Sequence, residues 1–97
     1  MEIIWSNKAR TSFLKVIDYL NSEWTQREVE RFVRITDSHI LLIGSGILRG
    51  RPAWKRENVF NVLLDKNNRL YYRIKKEKIF LLEFWDTRRN PSKNLFE

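Results

Sequence analysis

The chain has 97 residues, 42% of them hydrophobic and 13% aromatic, and its nineteen Lys and Arg against twelve Asp and Glu give a formal charge of +7. This length predicts a single domain, residues 1–97, and the apolar content excludes a disordered chain. Without cysteine and with a single histidine, His39, the chain is excluded from disulfide-stapled proteins and thiolate metal sites, and neither a metal nor a small-molecule cofactor is expected.

The N-terminal segment predicts a short strand followed by a helix. Residues 3–5 form an apolar run, and Ser6 or Asn7 is suited to cap the helix that follows. Apolar residues then recur at helical spacing, which predicts one stripe formed by Ala9, Phe13, Leu14, Ile17 and Leu20. We therefore expect the first helix to end near Leu20.

A second helix is predicted to begin at a capping box. In residues 25–28, the Thr25 hydroxyl and the Glu28 carboxylate can each satisfy a free backbone amide. The apolar stripe of residues 29–43 keeps the helical period, and Gly44 is suited to end the helix. The two helices are therefore expected to form an antiparallel hairpin.

The second half of the chain predicts an antiparallel meander of three strands. After a loop at residues 44–52, the segments 58–64, 69–74 and 78–85 are rich in β-branched and aromatic residues and are separated by polar turns. The expected fold class is α+β: an N-terminal strand, a two-helix hairpin, a meander packed on the helices, and a short C-terminal tail. Leu95 and Phe96 in this tail are suited to dock back on the core.

The middle strand is expected to have one apolar and one basic face, because side chains alternate along a strand. Leu70, Tyr72 and Ile74 share the face that packs against the helices. The opposite, open face carries Arg69, Tyr71 and Arg73.

All of the net charge lies in the half of the chain that is predicted to form strands. Residues 49–97 hold thirteen Lys and Arg against six Asp and Glu, and such a surplus favours a polyanionic partner. We expect the basic strand face to share one anion-binding cavity with Arg88, Arg89 and Lys93, because guanidinium groups bind phosphate and a tyrosine ring stacks on an unpaired base. A solvated face that only maintains solubility is the alternative interpretation.

The segment 54–56 admits two interpretations, because Trp54 precedes two cations. The indole either stacks on a ligand or anchors in the core. We take core anchoring of Trp54 as the expectation. Lys55 and Arg56 are counted with Arg73 as nucleic-acid-binding residues.

No apolar run approaches the roughly 18 residues of a membrane span, and the first residues lack the features of a signal peptide. A cytoplasmic protein without a membrane partner is therefore expected.

The order of these elements and two motifs resemble the RelE/ParE superfamily of bacterial type II toxin-antitoxin toxins. The motifs are Arg69–Ile74 in the middle strand and Phe84–Lys93 at the end of the last strand. The resemblance covers nearly the whole chain. It implies a toxin that inhibits growth through a basic concave sheet face, with a cognate antitoxin that wraps the toxin and blocks this face.

The resemblance leaves two targets open. RelE-type members cleave messenger RNA on the ribosome, whereas ParE-type members inhibit DNA gyrase without catalytic activity of their own. The leading hypothesis is the first, a metal-independent endoribonuclease. An inactive homologue that only forms complexes is a third alternative.

Residue by residue, the resemblance implies catalytic roles under the nuclease hypothesis. Arg69 matches the arginine at the start of the corresponding strand, and Arg88 or Arg89 matches an arginine after the last strand. Tyr71, Tyr72 and Lys93 remain for proton transfer. Phe60 and Val62 stand where RelE carries lysines, and the ending at residues 89–91 is similar to ParE-type sequences.

Overall fold

The computed structural model describes residues 1–97 and consists of two helices and one five-stranded sheet. The helices are α1 (Asn7–Glu23) and α2 (Gln26–Gly44). The strands are β1 (Glu2–Trp5), β2 (Arg51–Pro52), β3 (Val59–Asp65), β4 (Asn68–Lys75) and β5 (Lys78–Asp86), and a 3₁₀ turn follows at Pro91–Lys93. The expected α+β class and the helical hairpin are confirmed.

The sheet has the strand order β1-β5-β4-β3-β2, and β3, β4 and β5 form the predicted antiparallel meander. β1 extends the meander on one side by pairing with β5 in parallel. β2 extends it on the other side, with Arg51 opposite Asn61 and Pro52 opposite Phe60. The sequence predicts only a loop at β2, because two residues that end in proline are too short to show an alternating pattern.

The helix termini follow the predicted caps in part. The Ser6 hydroxyl accepts a hydrogen bond from the Ala9 amide at 3.0 Å, as expected for the start of α1. α1 continues past Leu20 to Glu23, because the polar residues after Leu20 include no helix breaker. Thr25 precedes α2, but its side chain makes no capping hydrogen bond, so the predicted capping box is wrong.

The helices cover one face of the sheet and form the main core with it. Aromatic rings from β1, both helices and β5 meet at its centre, where Trp5, Phe13, Phe32 and Phe84 form five ring pairs with centroids 5.2–6.4 Å apart. Leu70 and Tyr72 of β4 are fully buried on this face, as predicted. Neither helix has the length and apolar character needed to span a lipid bilayer.

A β-bulge breaks the two-residue period of β5. Tyr71 lies opposite Glu83 and Tyr72 opposite Leu81, so that Leu82 is the extra residue. Leu81 packs in the main core, whereas Leu82 packs on the other face of the sheet. The bulge therefore lets Leu81 and Phe84, which are three residues apart, both face the main core.

β5 extends beyond β1, and α1 lies against this free edge. The Ser12 hydroxyl accepts a hydrogen bond from the Phe84 amide at 2.9 Å and donates to the Lys8 carbonyl. The Ser6 hydroxyl donates to the Leu82 carbonyl at 3.2 Å. Serine side chains of the α1 segment thus take the place of a neighbouring strand.

Gly50 lets the chain approach β3 closely just before β2. Its amide donates to the hydroxyl of the fully buried Tyr72 at 2.7 Å. A Cβ atom on residue 50 would overlap the backbone carbonyl of Asn61, which has no flexible end to move aside. The close approach therefore requires glycine and fixes the positions of Arg49 and Arg51.

We expect Gly50→Ala to lower the free energy of unfolding by about 2–3 kcal/mol, because the added methyl group forces β2 away from β3. Urea denaturation monitored by tryptophan fluorescence measures this loss. Gly46→Ala is the control: no atom would contact its Cβ, and only the left-handed φ of 83° opposes it, at a cost of about 1 kcal/mol. Equal losses in the two variants would contradict the close-approach constraint.

Candidate functional site

The face of the sheet opposite the helices, called the outer face here, has a buried cluster of its own. Its members are at most 8% exposed and come from the loop after β2, the three meander strands and the tail: Ala53, Val59, Tyr71, Trp85 and Phe96. Phe96 stacks on Tyr71 with ring centroids 4.6 Å apart. The expectation that Tyr71 lies on an open face is therefore wrong, because the tail (residues 87–97) covers it.

Hydrogen bonds also hold the tail on the outer face. The Asn94 amide group donates to the Tyr71 hydroxyl at 3.0 Å, and this hydroxyl donates to the Glu97 side chain at 3.2 Å. Asn61 donates to the same Glu97 oxygen. Burial raises the pKa of the Tyr71 phenol above its ordinary 10.0, and the Glu97 carboxylate adds to this rise against the lowering effect of Asn94. A covered phenol of this kind is not placed to exchange protons with a substrate.

Arg69 and Arg73 lie on the outer face, half-buried, as their alternation predicts. The Arg69 guanidinium donates to the Asn61 side chain, and the Nε atom of Arg73 is buried without a hydrogen-bond partner. Neither arginine takes part in any of the four ion pairs. Neither guanidinium is therefore in direct contact with a carboxylate.

Arg88 is turned to the helix side of the sheet. Its Nε and Nη2 atoms donate to the two carboxylate oxygens of Asp86 at 3.0 and 2.8 Å, and its guanidinium lies 5.5 Å from the ring centre of Tyr19 in α1. The hydrogen bond from Arg88 lowers the pKa of Asp86, and the same bond raises the pKa of Arg88. Arg88 is thus paired, and it lies away from the outer face.

Arg89 contacts two other residues of β5 instead. Its guanidinium is 4.3 Å from the ring centre of Trp85 and 3.5 Å from the Glu83 carboxylate. Glu83 is buried, and Lys8 approaches it to 4.0 Å. The single cavity expected for Arg69, Arg88 and Arg89 is therefore wrong, because Arg88 and Arg89 line one cleft, whereas Arg69 lines a separate concavity at the β2–β3 edge.

Lys93 lies exposed in the 3₁₀ turn. No group of three or more His, Asp or Glu side chains is arranged to hold a metal ion. The residues predicted for catalysis thus occupy the outer face, the helix side and the tail separately.

A cleft of about 880 Å³ opens between the helical hairpin and the sheet, where Arg88 lies. Its floor is apolar and includes Val16, Leu20, Ile35, Leu64 and Phe84. Five cations and three carboxylates line it: Lys15, Arg31, Lys66, Arg88 and Arg89, and Glu28, Asp65 and Asp86. This mixed charge distinguishes the cleft from a phosphate-binding site.

A second concavity of about 410 Å³, called the basic groove here, lies at the β2–β3 edge. Its polar side chains are those of His39, Arg49, Arg51, Asn61 and Arg69, and no carboxylate lines it. His39 donates from Nδ1 to the Ile35 carbonyl at 2.8 Å. Arg49 and Arg51 were not among the predicted site residues. Two arginines on either side of Gly50 are the sequence feature that could have indicated them. The groove collects uncompensated positive charge.

Trp54 is 77% exposed, so the expected core anchoring is wrong. Ala53, the residue before Trp54, packs in the outer-face cluster, and the Trp54 side chain lies in solvent. Lys55 and Arg56 are exposed beside it, with Lys55 Nζ 6.0 Å from the indole centre. This loop lies next to the basic groove along the chain.

Comparison with known proteins gives one family and several similar folds. Residues 3–91 match the family described as ParE toxin of type II toxin-antitoxin system, parDE. A search of the curated proteins found no match.

Among solved structures, a chain of the chromosomal ParDE TA system from P. aeruginosa has a TM-score of 0.73 at 17% identity, covering 89% of this chain and 95% of that chain. Chains of the YoeB-YefM toxin-antitoxin complex and of the YoeB dimer from Staphylococcus aureus have TM-scores of 0.56 and 0.57 at 12% identity, covering 88% of this chain and 94% of theirs. These similarities show a shared fold.

We expect Phe96→Ala to lower the free energy of unfolding by about 3 kcal/mol, because it removes the ring that covers Tyr71. In the neighbouring Leu95→Ala, which alters a 62% exposed side chain, the change should stay within about 0.5 kcal/mol. Urea denaturation of both variants measures the difference. A loss as small as that of Leu95→Ala would contradict the docked tail.

The same variant should change the response to alkaline pH. Because the pKa of folded Tyr71 lies above 10.0, its stabilising contribution is complete below pH 10 and is lost as the pH rises toward the folded value. In Phe96→Ala, the pKa of Tyr71 should fall back toward its ordinary value. Titration of tyrosinate absorbance measures this shift, and an unchanged titration would show that Phe96 does not control the burial of the phenol.

Proposed function

Because the chain belongs to the ParE toxin family of type II toxin-antitoxin systems, we propose that it inhibits growth by binding DNA gyrase in the bacterial cytoplasm. Under this proposal the toxin has no chemistry of its own. The nuclease hypothesis, which the residue types favour, becomes the alternative. The nuclease hypothesis is less favoured because the side chains that RNA cleavage would need lie far apart on different surfaces.

Cleavage by 2′-hydroxyl attack requires a proton acceptor, a proton donor and cations around one phosphate. Arg69 and Arg88 lie on opposite sides of the sheet, and Arg88 is bonded to Asp86. Tyr71 is covered by Phe96, and Lys93 lies in the exposed turn. An inhibitor that acts by binding needs only a complementary surface, and unpaired cations are available in the basic groove.

The test is a supercoiling assay with purified gyrase, ATP and relaxed plasmid. We expect the chain to block supercoiling or to trap cleaved DNA, and to leave transcripts intact in a translation extract examined by primer extension. Replacing Arg51 and Arg69 together by alanine should raise the half-inhibitory concentration about tenfold or more, because charge-assisted contacts are lost. The control Lys75→Ala with Lys76→Ala removes the same charge from the β4–β5 turn and should have little effect.

The alternatives give different results in these assays. Transcript cleavage with normal supercoiling would overturn the proposal in favour of the RelE-type nuclease. If neither activity is found and induction does not slow growth, the chain is the inactive homologue.

We also propose that a cognate antitoxin covers Arg69 and Arg88 with an acidic segment. The two arginines lie on opposite sides of the sheet, so one segment that covers both must cross the end of β5 near Asp86. Co-expression with the neighbouring gene product should yield a complex, and Asp86→Arg should tighten it, because this change replaces a carboxylate on the path of the acidic segment by a cation and removes neither arginine. A complex whose affinity does not change in Asp86→Arg would contradict this path. Failure of the two proteins to co-purify would contradict the proposal that the neighbouring gene product is the antitoxin.

A further inference from the structure

The Trp54 indole is an exposed aromatic group that gyrase inhibition as proposed above does not use. Trp5 and Trp85 pack in the two cores, and Trp24, which is 59% exposed, lines the cleft of mixed charge. Trp54 differs from them because it is 77% exposed and no apolar neighbour covers it. Exposure of so large an apolar surface is unfavourable in water, so contact of the indole with a partner would be favourable.

The loop that carries Trp54 is held rigidly at both ends. The Ala53 amide donates to the Val59 carbonyl at 2.8 Å, and the Lys55 amide donates to the Phe96 carbonyl at 3.2 Å. Arg56 Nε donates to the Leu95 carbonyl at 3.2 Å. The indole is therefore presented by an ordered backbone, and little conformational entropy of that backbone is lost on binding.

Cations flank the indole on both sides along the chain. Arg51, Lys55 and Arg56 are exposed, and none of them takes part in an ion pair. Glu57 is the only carboxylate within the loop and is itself unpaired. We call Arg51, Trp54, Lys55 and Arg56 the Trp54 strip.

The Trp54 strip continues into the basic groove, because Arg51 belongs to both. Residues 51 and 54 are at most about 11 Å apart along an extended chain. A short polyanionic strand that contacts the indole can therefore also reach the three arginines of the groove.

The chemistry of the Trp54 strip favours nucleic acid over protein. The cores of protein interfaces are depleted in charged residues, lysine among them, whereas three of the four residues of the Trp54 strip are exposed cations. An aromatic ring among cations is typical of surfaces that stack bases and bind phosphates. Stacking needs an unpaired base, because bases in a duplex are covered by their neighbours.

We propose that the Trp54 strip binds single-stranded nucleic acid, with the indole stacked on a base and Arg51, Lys55 and Arg56 contacting phosphates. This inference is independent of gyrase inhibition, since it concerns direct binding by the toxin alone. DNA and RNA present the same stacking faces and phosphates, so both serve as probes.

The test is fluorescence anisotropy of labelled single-stranded DNA and RNA of mixed sequence, with the full chain as titrant. Trp54→Ala should weaken binding about tenfold, because base stacking on an aromatic ring contributes roughly 1–3 kcal/mol, and Trp54→Phe should retain most of the affinity. The control Trp24→Ala removes the other exposed indole and should leave binding unchanged. Equal urea midpoints of the variants exclude a folding defect.

The cations are tested through the salt dependence. The logarithm of the association constant should fall with the logarithm of the salt concentration with a slope of about −0.7 per phosphate contact. The double variant Lys55→Ala, Arg56→Ala should lose about two contacts and so reduce this slope by roughly 1.4. Lys75→Ala with Lys76→Ala should leave the slope unchanged.

Three results would overturn the inference. The first is equal affinity of wild type and Trp54→Ala for both strands. The second is an equal loss in Trp24→Ala, and the third is tighter binding of a duplex of the same length. If neither strand binds but Trp54→Ala impairs gyrase inhibition, the Trp54 strip is a protein-binding surface, and the nucleic-acid inference is wrong while the proposed function stands.

Discussion

The fold depends on burying two adjacent tyrosines of β4 on opposite faces of the sheet. Tyr71 and Tyr72 are both at most 1% exposed, so each hydroxyl needs a hydrogen-bond partner inside the protein. The helices cover Tyr72, and its hydroxyl accepts from the Gly50 amide. The tail covers Tyr71, and its hydroxyl bonds with Asn94 and Glu97. The hydrogen bond of Tyr72 holds the β2 edge, and the hydrogen bonds of Tyr71 hold the tail. Both edges of the candidate site therefore depend on these two adjacent tyrosines.

This double burial also determines where positive charge remains available. The tail occupies the middle of the outer face, and Asp86 and Glu83 pair with the arginines that follow β5. Uncompensated cations therefore collect along the β2–β3 edge, in the basic groove and the loop after it. The surface suited to an anionic partner is an edge of the sheet, although the alternation of side chains along β4 predicts a broad basic face.

The repetitive parts of the fold could be predicted from the sequence, because their period follows from backbone geometry. The meander, the burial of Leu70 and Tyr72, and the helix stripes belong to this class, except for Leu14, which is 51% exposed. The directions of Trp54, Arg88 and Arg89 could not be predicted, since each follows a strand end and depends on where the chain turns next. The bulge at Leu82 and the covering of Tyr71 by Phe96 depend on contacts distant in sequence, which no local pattern encodes. Most of the fold was therefore within reach of sequence reasoning, whereas the candidate site was largely not.

The serine contacts between α1 and the free edge of β5 have a consequence for self-association. An uncovered strand edge offers its amides and carbonyls to any other chain and is a common start of aggregation. Beyond Trp5 the edge of β5 is occupied by Ser6 and Ser12, so an intruding strand would have to displace the helix first. Any transient opening that lifts α1 from the sheet would expose the backbone edge of β5 from Leu82 to Trp85, a stretch that is apolar except for Glu83. The first helix thus acts as a guard against misassembly as well as a cover for the core.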